Sequence, residues 1–155
     1  MLTVSDGVAA GEREDGSGDA LEELLAEDGF DVRRELVPDD RPQIARALRV
    51  LAGDVELILT TGGTGVAPRD VTPEATRSVL DREVPGIAEA IRADSIARTP
   101  HALLSRGVAG TIGDALVVNL PGSPGGCRDG FAVVRPALEH ALRLLAGADT
   151  AHRQT

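Results

Sequence analysis

The sequence predicts a three-layer α/β/α domain built on a mostly parallel, mixed sheet. Three observations lead there. Short β-rich runs alternate with longer stretches of helical period, as in strands joined by crossover helices. The apolar run 55–60 opens directly into a loop with three glycines, the usual setting of a ligand loop at a parallel strand's carboxyl end. Gly113-Asp114 separates two further apolar runs as a two-residue hairpin turn would, which adds an antiparallel pair.

Taken in order, residues 2–5 read as the end of a first strand and residues 7–18 as a polar loop. Residues 19–28 place Leu21, Leu24 and Leu25 at helical spacing, and Gly29 suits the left-handed position after a helix. Phe30, Val32, Leu36 and Val37 suggest a second strand running into Pro38-Asp39-Asp40. Pro42 fits the first turn of the next helix, whose buried face is marked by Ile44, Leu48 and Leu51. After the glycine loop, Thr72-Pro73-Glu74 reads as a helix start with Thr72 as N-cap, and helical signals continue to about residue 97 with a break at Val84-Pro85-Gly86. Runs 107–112 and 115–120 form the hairpin, and an amphipathic segment 126–146, interrupted at Pro136, closes a single domain over 1–147. Residues 148–155 form a polar tail.

Composition narrows the chemistry. A chain of 155 residues buries about two-thirds of its unfolded surface as one domain. With aromatics at 1%, Val, Leu, Ile and Ala must fill that core. Stacking platforms for bases are scarce and the net charge is -9, so a nucleic-acid partner is not expected. All sixteen basic residues are Arg; a Walker-type or Schiff-base Lys is therefore excluded, and anions must be held by Arg, backbone N–H groups or a metal ion. One cysteine, Cys127, forms no intramolecular disulfide and has no neighbour in sequence that would activate it. His101, His140 and His152 are too dispersed for a metal cluster, and the acidic stretches 12–15 and 22–28 read as solvated surface. No segment has the length of a signal peptide or membrane span, so a soluble, cytoplasmic protein with no membrane contact is expected.

Residues 60–70 concentrate the features of a binding loop. Glycines 62, 63 and 65 let backbone approach a ligand, and Thr60, Thr61 and Thr64 offer hydroxyls. Arg69 and Asp70 place a cation and a carboxylate just before a helix start. The plain alternative is a tight turn with Asp70 helping to cap that helix. Asp39 could likewise be a helix cap, a role open equally to Asp40, and Glu74 is favourable in a helix's first turn without any ligand. Ser5 and Asp6 end the first strand, and so reach the same sheet edge as the glycine loop. Ser105-Arg106 precedes the hairpin, where Arg106 offers a bidentate phosphate contact or a solvated surface charge. Pro121-Gly122-Ser123-Pro124 is a rigid turn at another strand end.

The string Thr61-Gly62-Gly63-Thr64-Gly65, then Pro68-Arg69-Asp70-Val71-Thr72-Pro73-Glu74, resembles the signature of the MoaB/Mog superfamily, which includes the molybdopterin adenylyltransferases and the gephyrin G domain. Further matches run in the family's order: Val4-Ser5-Asp6, Asp15-Gly16-Ser17-Gly18, Val37-Pro38-Asp39, Leu104-Ser105-Arg106 and Asn119-Leu120-Pro121-Gly122-Ser123-Pro124. Competence-damage-type members carry Leu in place of Thr64 and an acidic residue in place of Arg69, so the chain is more similar to the adenylyltransferase branch.

The resemblance implies a MoaB/Mog-like fold, a homotrimer and adenylylation of the molybdopterin phosphate by Mg-ATP with release of pyrophosphate. Molybdopterin and ATP are then the substrates, Mg2+ the cofactor, and other molybdenum-cofactor biosynthesis proteins possible contacts. Asp39 and Asp70 fall on the family's catalytic positions and would hold Mg2+. Ser5, Asp6, Thr61, Gly62, Gly63, Thr64, Gly65, Arg69, Ser105, Arg106, Pro121, Gly122, Ser123 and Pro124 are the implied substrate-binding set. A MoaB-type protein that binds molybdopterin without transferring AMP is the alternative.

Overall fold

The computed structural model describes residues 1–147, and the expected tail, 148–155, lies outside the described residues. Six strands form one sheet: β1 (Leu2–Val4), β2 (Glu35–Val37), β3 (Leu57–Thr61), β4 (Arg82–Glu83), β5 (Ala109–Ile112) and β6 (Ala115–Leu120), in the order β2-β1-β3-β6-β5-β4. The first four in that order are parallel, and β5 runs antiparallel to both β6 and β4. The mixed sheet is as expected, with Gly113 at φ 55 in the hairpin turn.

The pleat sends alternate residues to two cores. Leu2, Val4, Ile58 and Val117 face α3 (Arg41–Ala52) and α4 (Thr72–Arg77), whose Ile44, Leu48, Leu51 and Ala75 are buried against them. Leu59, Leu116, Val118 and Leu120 face the other way, toward α2 (Gly16–Glu27), α5 (Pro85–Arg98) and α6 (Pro124–Leu145). Three layers result, and aliphatic side chains supply nearly all of both cores. Emptying a fully buried site such as Leu48 would cost about 2–5 kcal/mol.

Several elements differ from expectation. Residues 7–18 are not all loop: α1 (Asp6–Ala9) begins with Ser5 as N-cap, and α2 starts at Gly16 with the Asp15 side chain accepting from the Gly18 N–H. The second strand shrinks to Glu35–Val37, because Phe30 and Val32 pack against the core without joining a ladder. Thr72 is not an N-cap; Val71 holds that position without a side-chain bond, and the buried Thr72 hydroxyl donates to the Gly62 carbonyl at 2.9 Å. Between α4 and α5 the sequence supplies the two-residue edge strand β4, too short to show a period. Helix α6 runs unbroken through Pro136. Pro136 and Ala132, four residues earlier, are both exposed, so the carbonyl deprived of its N–H partner can be hydrated.

The chain leaves β1 for β2 at one edge and returns to place β3 on β1's other flank. That reversal makes a crevice beyond the carboxyl ends of β1 and β3, where doubly wound sheets bind ligands.

Candidate functional site

Four parallel neighbours deliver their following loops to one sheet edge: β1 gives Ser5 and Asp6, β2 gives Pro38 and Asp39, β3 the glycine loop, and β6 residues 121–124. The glycines are required by close contact. A Cβ on Gly62, at φ 98, would lie 2.2 Å from the Val4 carbonyl oxygen, and one on Gly122 would lie 3.0 Å from the Gly62 Cα. For Gly63 the sequence predicts bare backbone facing a ligand. At φ 64 its missing Cβ instead leaves room for Thr72 Oγ1 and Asp39 Oδ1, which such an atom would meet at 2.4 and 2.9 Å.

Asp39 and Asp70 flank this loop. Asp40, not Asp39, caps α3, accepting from the Gln43 N–H at 3.0 Å. Asp39 Oδ2 accepts from the Asp6 N–H at 2.8 Å, while the Asp39 N–H donates to Asp6 Oδ1 at 2.9 Å. Asp70 Oδ2 accepts from the Ala67 N–H at 2.9 Å and lies where a Cβ on Gly65 would meet it at 2.8 Å. Each carboxylate thus fastens its own loop with one oxygen and leaves the other available. Burial, with the nearby Asp6 and Asp70 charges, raises the pKa of Asp39, although the Asp6 N–H acts against it.

Two hollows meet at the glycine loop. The first, about 360 Å³, is lined by Ser5, Arg13, Asp15, Asp39, Gly63 and Asp70, with Gly62, Gly122 and Pro124 on its walls. The second, about 400 Å³, lies against Thr64, Gly65, Pro121 and Ser123 and is closed by Arg92, Ser105 and Leu104. Residues 62–65 and 121–124 are therefore a common wall, and a ligand pair seated on either side would meet across it.

Not every expected residue faces a hollow. The Thr61 hydroxyl is buried, donating to the Pro121 carbonyl at 2.9 Å, and the Thr60 hydroxyl accepts from Asn119 Nδ2 at 3.0 Å, so neither hydroxyl reaches a ligand. Arg106 is engaged inside the protein: Nε donates to the Gly65 carbonyl and an Nη to the Asp70 carbonyl, both at 2.6 Å, and the guanidinium pairs with Glu74. It staples the glycine loop to α4 and offers no fork to a phosphate. Burial alone would raise Glu74, and Arg106 more than offsets it, holding the carboxyl below its ordinary value. Arg69 grips Asp6 with two bonds of 2.9 Å and lines neither hollow. That grip holds Asp6 below the usual carboxylate range.

Sequence reasoning did not single out Arg13, Arg92 or Arg98 and weighed His101 only as a metal ligand, yet all four line the hollows. Asp15 and Ser17 belong to a recognised motif, Arg13 lies in a polar stretch without periodicity, and Arg92 and Arg98 lie on α5, where the helical period marks the buried face and not the polar residues beside it. Cys127 is buried, its thiol pushed up to about 11 by burial, and it donates toward Thr61 and Pro121. This supports a packing role.

A metal has limited protein support here, since the described residues contain no group of three or more His, Cys, Asp or Glu able to hold an ion. Two carboxylates with one available oxygen each do fit Mg2+, which keeps several waters and shares its shell with substrate phosphates.

Residues 1–140 match the model of a family described as "Probable molybdopterin binding domain". Over 152 residues the chain is 38% identical to the molybdopterin adenylyltransferase of Helicobacter pylori strain J99, covering 95% of this chain and 86% of that protein. It is 40% identical to the molybdenum cofactor synthesis protein cinnamon of Drosophila melanogaster, matching along its whole length but spanning only 26% of the fly protein. Among solved structures, the molybdopterin biosynthesis enzyme MoaB of Thermus thermophilus superposes with a TM-score of 0.88 at 54% identity, covering 94% of each chain.

Proposed function

The chain belongs to the molybdopterin-binding domain family, and on that premise we propose that it transfers AMP from Mg-ATP to the terminal phosphate of molybdopterin, releasing pyrophosphate. The observation that carries this reading is the pairing of Asp39 and Asp70 across one glycine loop in one cleft.

Two anionic substrates must approach each other, so the protein's task is positioning and charge neutralisation. The carboxylate-lined first hollow suits a metal-bound triphosphate, with Asp39 and Asp70 holding Mg2+, which when bound would neutralise phosphate charge. The second hollow, with Leu104 and Ile91 beside Arg92 and Ser105, suits the pterin and its phosphate. A pterin phosphate oxygen bonds to the α-phosphorus where the two hollows meet at the glycine loop. The bond from that phosphorus to its bridging oxygen breaks, and pyrophosphate departs with the electron pair. The attacking phosphate is already largely ionised at neutral pH, so no general base is required. Glycines 62, 63 and 65 let this loop pack against Val4, Thr72, Asp39 and Asp70, which fixes it between the two substrates.

No helix among the described residues is long and apolar enough to cross a membrane. The family setting supports a cytoplasmic homotrimer working beside other cofactor-assembly proteins.

Incubation with molybdopterin, ATP and Mg2+ should yield pyrophosphate and adenylylated pterin. Asp70→Ala should lose at least about a hundredfold in turnover, as expected when a group central to charge neutralisation is removed. Tight pterin binding with no product from the parent protein would establish a binding protein instead.

A further inference from the structure

We propose that Arg13 is a phosphate-binding residue of the first cleft, brought there because position 7 carries no side chain. This rests on the reading of that cleft as a polyphosphate site. Arg13 is the one cation among the residues lining it, beside the carboxylates of Glu14, Asp15, Asp39 and Asp70. Yet no carboxylate pairs with it among the described residues; its guanidinium donates to a neutral group, the Ser5 hydroxyl, at 2.8 Å. Of the neighbouring acids, Asp15 accepts from Thr3, Gly18 and Arg34, Asp39 Oδ2 from Asp6, and Asp70 Oδ2 from Ala67, while Glu14 forms no ion pair with Arg13 among the described residues. Arg33, Arg34, Arg69, Arg77, Arg98, Arg106 and Arg135 all carry carboxylate partners. Arg13 therefore keeps several N–H donors and a full charge facing the hollow, the arrangement that recognises phosphate oxygens bidentately.

Its placement depends on Gly7 in α1. A Cβ there would lie 3.2 Å from Arg13 Nε and 3.4 Å from its Cδ, so the arginine stem occupies space that any other residue would take. Gly7 does not have a positive φ, and Gly7→Ala would therefore move the guanidinium without straining the backbone. The division of labour follows from charge: two aspartates attract a cation, and Arg13 meets phosphate oxygens that the cation does not cover.

Calorimetric titration of the intact protein and its variants with Mg-ATP, Mg-pyrophosphate, adenosine and molybdopterin tests this. Arg13→Gln should weaken phosphate-bearing ligands by about ten- to a hundredfold, the scale of a charged hydrogen bond, while adenosine affinity and Tm stay unchanged. Gly7→Ala, with the charge retained, should weaken the same ligands less and not lower Tm. Losses confined to Mg-ATP and Mg-pyrophosphate assign the nucleotide's phosphates; losses confined to molybdopterin assign the pterin's phosphate. Equal affinity for all phosphate ligands in Arg13→Gln overturns the proposal, as does a parent protein that binds none of them. Arg13-dependent pyrophosphate binding without turnover would uphold Arg13 and refute the transferase. Turnover with unchanged KM values for both Mg-ATP and molybdopterin in Arg13→Gln would do the reverse.

Discussion

Asp39 shows how one side chain can serve both the fold and the reaction. Its Oδ2 fastens the turn after β2 to Asp6 while Oδ1 stays available, so the two tasks can be separated. Asp39→Asn should retain an acceptor for the Asp6 N–H. Turnover should fall by at least about a hundredfold, while thermal unfolding at neutral pH should move upward or not at all. The sign follows from the raised folded pKa of Asp39: stability linked to this group is fully present below the ordinary value of 3.8 and is lost as pH rises through the folded one. Removing the charge removes that cost. Asp6 and Asp15 act in the opposite sense, for their folded values are lowered; their contribution is present above 3.8 and fades as pH falls. If ionised Asp39 is needed for activity, the acid limb of kcat/KM should lie above 3.8. Asp6→Asn should move that limb to lower pH by removing a repelling charge, and an upward movement would contradict the assignment.

At the scale of elements, the Arg106 staple connects the glycine loop, the Asp70 turn and α4. Glu74 Oε2 is buried without a hydrogen-bond partner among the described residues, so the cluster has no spare acceptor satisfaction to lose. Arg106→Leu should destabilise by about 1–3 kcal/mol through unpaired Gly65 and Asp70 carbonyls and an orphaned Glu74. Chemical denaturation would measure this. Pro136→Ala should instead stabilise α6 by about 1–2 kcal/mol, less than the full helix-interior penalty because the unfolded chain gains freedom; a lower Tm would show that the ring packs usefully. The same elements show what sequence can reveal. β3 and β6 were legible because they are near-continuous apolar runs, the buried stripe of α3 because its helical period is regular, and the glycine loop because only glycine tolerates contact with Val4. The brief α1 and β4 were not, since four and two residues carry no period. Arg106 read as a phosphate ligand because sequence shows its charge but not the carbonyls that converge on it. Thr61 read as cleft-facing because nothing in its own identity reveals the Pro121 carbonyl beneath it.

For the molecule as a whole, the two-sided core explains how loops far apart in sequence share one rim: each layer of helices fixes one flank of the sheet, and the sheet order brings β2, β1, β3 and β6 together. In the single chain Val66, Leu103 and Leu104 are 62%, 66% and 52% exposed, apolar area that subunit contacts could cover. Sedimentation equilibrium should return three times the 16.1 kDa chain mass; a monomer at micromolar concentration would end the trimer proposal. The partition of residues 62–65 and 121–124 between the two hollows bears on inhibition. A tethered compound reaching into both would cross a ridge made largely of main chain and glycine. At Gly62 and Gly63 any added side chain collides with Val4, Thr72 or Asp39 beneath, so drug resistance arising at those two positions would tend to cripple the protein that acquired it.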